Sequence, residues 1–369
     1  MKPTQALLEE RTARVRKAIN LEKPDRTPLL LTADAFCANH LGVKMSDFVF
    51  DVELSSATIF NSLQRLGDVD GTGGAFCGAR LFPLMAYAKM KLPGVELPDN
   101  AFWQVDEQEI MTEADYDTIL EKGWNAFSQE LLVNRLKLPV ADLIAATAKL
   151  PKLRQNFVDA GYVVYIGAGA SITVNEYLSA ARTFPKFLRD CFKMPDKVEA
   201  VLDVILAETL EKIRSQIRNA NSLVVFVSPS RGASQFYSPK LWERFIWKYL
   251  KATVDAIIAE GAIANIHIDG NWERDLAYFK AFPKAKAVFE TDGATDIYKI
   301  KEVLGDRMCI KGDVPAALLT VGSPEQVYDY CVKLIRDMGP GFILATGCTV
   351  PPNAKVENVK AMVAAATGK

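Results

Sequence analysis

A chain of 369 residues that is 49% apolar has enough hydrophobic side chain for one large domain, and the whole of 1–369 is read as a single unit. With 44 Lys and Arg against 45 Asp and Glu, the formal charge is −1, which removes any electrostatic case for nucleic-acid binding. The charged, amphipathic opening MKPTQALLEERTARVRKAI lacks a signal-peptide apolar segment. No apolar run reaches the roughly 18 residues of a membrane span, so a cytoplasmic location without membrane contact is expected.

Eight short apolar, β-branched runs recur along the chain with helical patterns between them. They are TPLLLTA (27–33), DVDGTGG (68–74), YVVYIG (162–167), LVVFVS (223–228), IANIHID (263–269), AVFETD (287–292), MCIKGD (308–313) and FILATG (342–347). Residues 81–120 interrupt the alternation with turns and short strands, predicting an insertion over one barrel end that is a candidate lid or homodimer contact. Ser238-Pro239 marks a helix start, followed by apolar Leu241, Phe245, Leu250, Val254, Ile257 and Ile258 and a stop at Gly261. Ser323-Pro324-Glu325-Gln326 reads as a capping box opening a helix that ends at Gly339-Pro340. Strands alternating with helices in this way predict an α/β fold of the (β/α)8 TIM-barrel type.

In such barrels the side chains that do chemistry collect where strands end. Here those positions carry Asp34, Ser228, Arg231, His267, Asp269, Glu290, Asp292, Asp313 and Cys348. His267 and Asp269 are two residues apart on one strand and so share a side, with Glu290 or Asp292 close by on the adjacent strand. Cys348, just past the last strand, can reach across the mouth. An imidazole, a thiolate and one or two carboxylates converging there would form a Zn²⁺ site, whereas the bare His-x-Asp spacing by itself favours a supporting or purely structural pair.

Other features carry less. Six cysteines (37, 77, 191, 309, 331 and 348) lack CxxC spacing and read as free thiols, mostly packing residues. GAGASI (167–172) opens like a dinucleotide fingerprint but has Ile172 where the third glycine belongs. No protease or amidase signature surrounds a Cys348/His267 nucleophile pair. His40 reads as a local structural histidine. Phe236 and Tyr237 either line a pocket for a flat ligand or pack on the rim.

The stretches RVRKAINLEKPDRTPLL, SPKLWERFIWKYLK, IHIDGN, IKGDVP, TVGSPEQVYDYCVKLI and GFILATGCTVPPNAKVENVKAMV, in that order, resemble the uroporphyrinogen decarboxylase superfamily. Within it the chain is more similar to the zinc-containing, cobalamin (corrinoid)-dependent methyltransferases. The resemblance spans most of the chain, is weakest over 81–160, and implies the same (β/α)8 barrel. Decarboxylases carry an arginine-rich motif after the first strand and a histidine near the last. This chain has LLLTADAFCANHLG and Cys348 at those places, which favours the methyltransferase branch.

The zinc motif of that branch is His-x-Cys with a distant Cys. His267 matches the first ligand and Cys348 the last, while Asp269 stands in for the middle cysteine, so the third ligand is Asp269 itself or Glu290. Replacing sulfur by oxygen makes zinc a harder Lewis acid, better suited to polarising a methyl ether than to holding a thiolate nucleophile. The expected reaction moves a methyl group from a small donor, such as a methoxylated aromatic, to Co(I) of a separate corrinoid protein, since no corrinoid-binding Asp-x-His-x-x-Gly run is found in this chain. Asp34, Arg231 and Tyr237 are candidates for positioning the donor. Competing readings are transfer from a methylcorrinoid to a thiol or folate, a decarboxylase-like lyase acting on a tetrapyrrole, and a non-catalytic binder of a tetrapyrrole or corrinoid protein.

Overall fold

The computed structural model describes residues 4–166, 168–220 and 224–369, so Gly167 and Leu223, at the edges of two expected strands, lie outside the described residues. The parallel strands are β1 (Leu30–Leu31), β2 (Gly71–Thr72), β3 in two segments (Val163–Val164 and Ala168–Ile172), β4 (Val224–Ser228), β5 (Ile263–Ile268), β6 (Ala287–Thr291), β7 (Cys309–Val314) and β8 (Phe342–Thr346). The first segment of β3 pairs with β2 and the second with β4, and every neighbour from β4 to β8 pairs in parallel. A bridge from Leu29 to Leu344 joins the first strand to the last, so the sheet closes as a (β/α)8 barrel. The GAGASI stretch contributes strand at 168–172 rather than the glycine turn a dinucleotide needs.

The weak glycine-rich second run is a strand because of what lies beside it. A Cβ on Gly71 would stand 2.1 Å from the Val163 carbonyl oxygen, so only glycine lets β2 approach β3 this closely.

Alternation along β5 sorts its side chains. Ala264, Ile266 and Ile268 belong to the apolar layer between strands and helices, together with Trp242, Leu250 and Val254. Ile263 instead faces the barrel floor with Leu30, Val224, Val288, Cys309 and Ile343, which Val15, Ala18 and Ile19 of the helix Thr4–Ile19 seal from below. Burying each such aliphatic side chain stabilises by about 1.5–3 kcal/mol. The remaining inward positions of β5 are polar, Asn265 and then His267, and these lead upward to the site.

Polar anchors fix the bottom of the barrel. Asp70, fully buried just before β2, accepts from Arg14 (2.5 Å), from Arg26 (2.7 and 3.0 Å) and from the Leu29 amide (2.8 Å). The helix Thr4–Ile19, the loop before β1 and the start of β2 therefore converge on one carboxylate.

The expected helix signals hold. Ser323 accepts from the Gln326 amide at 3.3 Å while the Gln326 side chain accepts from the Ser323 amide at 2.9 Å, completing the capping box of the helix Pro324–Met338. Ser238 caps Pro239–Trp242, and the chain continues through a π-helical turn, Glu243–Trp247, into the helix Lys248–Ala259.

The excursion after β2 is longer than 81–120. It includes an antiparallel hairpin of Lys89–Lys91 with Gln104–Asp106, then helices Asp115–Lys122, Trp124–Glu130, Val140–Thr147 and Leu150–Asp159. Tyr87, Tyr116, Ile119, Trp124 and Phe127 form a second core with Val201, Leu202, Ile205 and Tyr249 from helices of the barrel wall. This packing makes that part of the excursion an integral layer of the fold. Among the described residues, no helix is long and apolar enough to cross a membrane.

Candidate metal centre

Strand register assembles the centre. His267 on β5 is paired with Glu290 on β6, and Glu290 with Lys311 on β7, so three ionisable side chains share one level of the barrel interior. His267 is 6% exposed, and its ring lies against Phe226 with centroids 5.5 Å apart. Its Nε2 is 3.5 Å from Oδ1 of Asp269. Donor atoms of His267, Asp269 and Cys348 all fall within 4.8 Å of one another, bringing together residues separated by 81 positions at the mouth end of β5 and β8.

Both loops that carry the outer two donors are held by backbone contacts. After β5, the Gly270 amide donates to Asp292 at 2.9 Å, the Gly270 carbonyl accepts from Thr295 at 2.9 Å, and the Trp272 indole donates to the Asp269 carbonyl at 2.9 Å. After β8, the Thr346 hydroxyl donates to the Cys348 carbonyl at 2.8 Å, and the Val350 amide donates to the Thr32 carbonyl at 2.7 Å. Asp292, expected near the centre, is thus a loop anchor.

Glu290 stands behind the imidazole. Its Oε2 is 3.7 Å from His267 Nδ1, beyond hydrogen-bonding distance, and Nδ1 is a buried nitrogen with no hydrogen-bond partner among the described residues. Burial disfavours a charged imidazole, yet Asp269, Cys348 and Glu290 together outweigh it and push the His267 pKa well above its ordinary value. Glu290 is held well below the usual carboxylate range by Lys311 and His267, against the opposing effect of its burial.

One nitrogen, one sulfur and one carboxylate oxygen form a three-donor set of the kind zinc takes in sites with an open position. These residues fit the metal. Cys348 is exposed whereas the other five cysteines are buried, as expected of packing thiols. His40 is local: its Nδ1 lies 2.8 Å from the Ser62 hydroxyl, and its ring packs on Phe36.

The three positioning candidates lie outside this donor group. Asp34 opens the helix Asp34–Leu41 directly after β1, and burial pushes its carboxyl up to about 6. Arg231 spends its guanidinium on the Ser179 carbonyl (2.8 Å) and on Glu107 of the excursion (3.5 Å). Tyr237 is 5% exposed, with its hydroxyl donating to the Arg231 carbonyl at 3.0 Å, and Phe236 packs edge-on against Phe184. Arg231 and Tyr237 thus tie the rim together.

Glu176, in the helix Val174–Ala181 that follows β3, was not singled out by its sequence context. It accepts from the Arg231 amide at 2.6 Å and from Asn175 at 3.3 Å, and is 6% exposed. Burial raises its pKa to about 7, with the Arg231 amide and charge opposing and the Asp269 charge adding to the rise. The only sequence signal is position, a carboxylate four residues past a strand end.

A raised folded-state pKa means that Glu176 contributes stability below the unfolded value of about 4.3, which is lost as pH rises through about 7. Glu176→Gln removes this penalty. In urea unfolding of the metal-free protein, the variant should gain about 2 kcal/mol on the parent between pH 5 and pH 8. Parallel stability curves would contradict this assignment.

The family model described as Uroporphyrinogen decarboxylase (URO-D) matches residues 125–368. Uroporphyrinogen decarboxylase of Coxiella burnetii is 22% identical over 245 residues, 63% of this chain and 65% of that protein, so the match spans less than two thirds of the relative. The enzyme of Dichelobacter nodosus is 23% identical over 205 residues, covering 54% of this chain and 56% of its own. Among solved structures, a methyltransferase from Methanosarcina mazei superposes with a TM-score of 0.71 at 17% identity, covering 97% of this chain and 98% of its own, and so shares the fold from end to end. On the family match over 125–368, the chain belongs to the uroporphyrinogen decarboxylase family.

Proposed function

We propose that this protein is a metal-dependent methyltransferase that moves a methyl group from a small methoxylated donor to a separate corrinoid protein. The observation that carries the reading is the convergence of His267, Asp269 and Cys348 donor atoms within 4.8 Å at the barrel mouth. Zinc held by these three would supply Lewis acidity toward the departing oxygen, and Co(I) on the partner would take the methyl group.

The chain's own residues prepare that event. Asp292 and Thr295 on the Gly270 backbone, the Trp272 indole on the Asp269 carbonyl and Thr346 on the Cys348 carbonyl hold the donor loops in place before substrate arrives, so little reorganisation is required. Phe226 supports the imidazole face. Loss of a methyl group leaves the donor oxygen needing a proton. Glu176 is suited to hold one, on Oε2, because Oε1 already accepts from the Arg231 amide.

A decarboxylase-like activity has less support: the helix Asp34–Leu41, where the family's decarboxylases place arginines, contains none. The test is to mix zinc-loaded protein with a reduced corrinoid protein and a methoxylated aromatic. The reading predicts conversion of the Co(I) spectrum to that of methyl-Co(III), with one demethylated product per cobalt. Methylation of a thiol or folate by the methylcorrinoid, without demethylation, would reverse the direction. Carbon dioxide release from a porphyrinogen, with no methyl transfer, would replace the reading by a lyase.

A further inference from the structure

Beside His267, at the same level of the barrel interior, lies a charge pair that the reaction does not itself require. Lys311 is 1% exposed and Glu290 is 3% exposed, and Lys311 Nζ donates to Glu290 Oε1 at 2.5 Å. The other oxygen, Oε2, accepts from Asn265 Nδ2 at 2.5 Å, and Asn265 Oδ1 in turn accepts from the Tyr165 hydroxyl at 3.0 Å. Lys311 Nζ also lies 5.1 Å over the Tyr165 ring. Interiors at this level of a barrel are ordinarily filled by branched apolar side chains, so a four-residue polar chain needs a reason.

Its geometry supplies one. Glu290 neighbours His267 in register and is otherwise the natural next donor for the same metal. Both of its oxygens are already engaged, however, and moving the carboxylate toward the mouth would strand a buried ammonium. We propose that Lys311 is a positioning residue that holds Glu290 out of the metal's coordination sphere, so that Glu290 faces His267 Nδ1 and a coordination position remains open for substrate.

This rests on the metal reading above and deepens it. Nδ1 faces the Glu290 carboxylate at 3.7 Å, and Nε2 is the nitrogen left for the metal, on the side of Asp269 and Cys348. Charge balance agrees. One neutral imidazole, one carboxylate and one thiolate cancel a divalent cation, while Glu290 and Lys311 cancel each other outside. Drawing Glu290 into the sphere would add a negative charge and fill the position a donor must enter.

The experiment uses Co(II) as the probe in the full-length protein, read by absorption, with the thiolate-to-cobalt band reporting Cys348 and the d–d bands reporting coordination. Glu290→Gln should keep both band sets of the parent and weaken Co(II) binding about 10- to 100-fold. Lys311→Met should shift the d–d bands, as Glu290 enters the sphere, and abolish the spectral response to added imidazole. Should Lys311→Met fail to fold by circular dichroism, Lys311→Gln removes the same charge with a hydrogen-bonding side chain and carries the same expectation. Altered d–d bands in Glu290→Gln, with unchanged bands in the lysine variant, would place Glu290 in the sphere and overturn the inference while leaving the metal site intact. Absence of Co(II) uptake by the parent would overturn the metal reading and this inference with it.

Discussion

Asp70→Ala is expected to destabilise the protein by about 3–5 kcal/mol, the range for removing one partner of a buried charge network. The carboxylate has no solvent exposure, and the change strips Arg14, itself 3% exposed, of its partner at 2.5 Å. It also frees two nitrogens of Arg26 and leaves the Leu29 amide without its acceptor. Arg14 retains Glu10 and Asp25, which lie on its more exposed side and soften the loss. Because the network ties the helix Thr4–Ile19 to β2, the unfolding midpoint in urea should fall while the dependence on denaturant is unchanged. A loss below about 1 kcal/mol would show that the arginines find other partners or water.

Gly347→Ala is expected to weaken zinc binding about a hundredfold while leaving the fold intact. A Cβ there would meet the Asp292 carbonyl oxygen at 2.4 Å and its carbonyl carbon at 2.8 Å. The obstacle is backbone, so the loops after β6 and β8 must separate. Cys348 is the next residue, and Asp292 also holds Gly270 beside Asp269, so one methyl group displaces two of the three donors. Competition with a chromophoric chelator measures the affinity. Parent-like affinity would mean that the loops can separate without moving the donors.

Much of this was legible in the chain because period-two patterning is local. The six-residue run of β5 shows its outward Ala264, Ile266 and Ile268 and its inward Asn265 and His267 in plain alternation. Even the glycine-rich β2 was placed, although its reason, the nearness of Val163, is a tertiary fact. The distant pair of His267 and Cys348 was legible from strand order and from the family likeness.

What was not legible depends on register or remote packing. Lys311 lies in the strand Cys309–Val314, and nothing local says that its partner is Glu290 and that Glu290 faces the imidazole from behind. The partners of Arg231, Ser179 and Glu107, lie far from it along the chain and cannot be read at the strand end. The helices Asp115–Lys122 and Trp124–Glu130 of the excursion owe their burial to Val201, Leu202 and Tyr249, far along the chain. Glu176 acquires its character only from burial beside Arg231 and Asp269.

The zinc content of the purified protein, measured beside His267→Ala and Cys348→Ala, decides whether the three donors hold a metal. About one zinc per chain is expected in the parent and loss from both variants, since three donors around an open position cannot spare one. Zinc absent from all three proteins after supplementation, or retained undiminished in both variants, would contradict the metal reading.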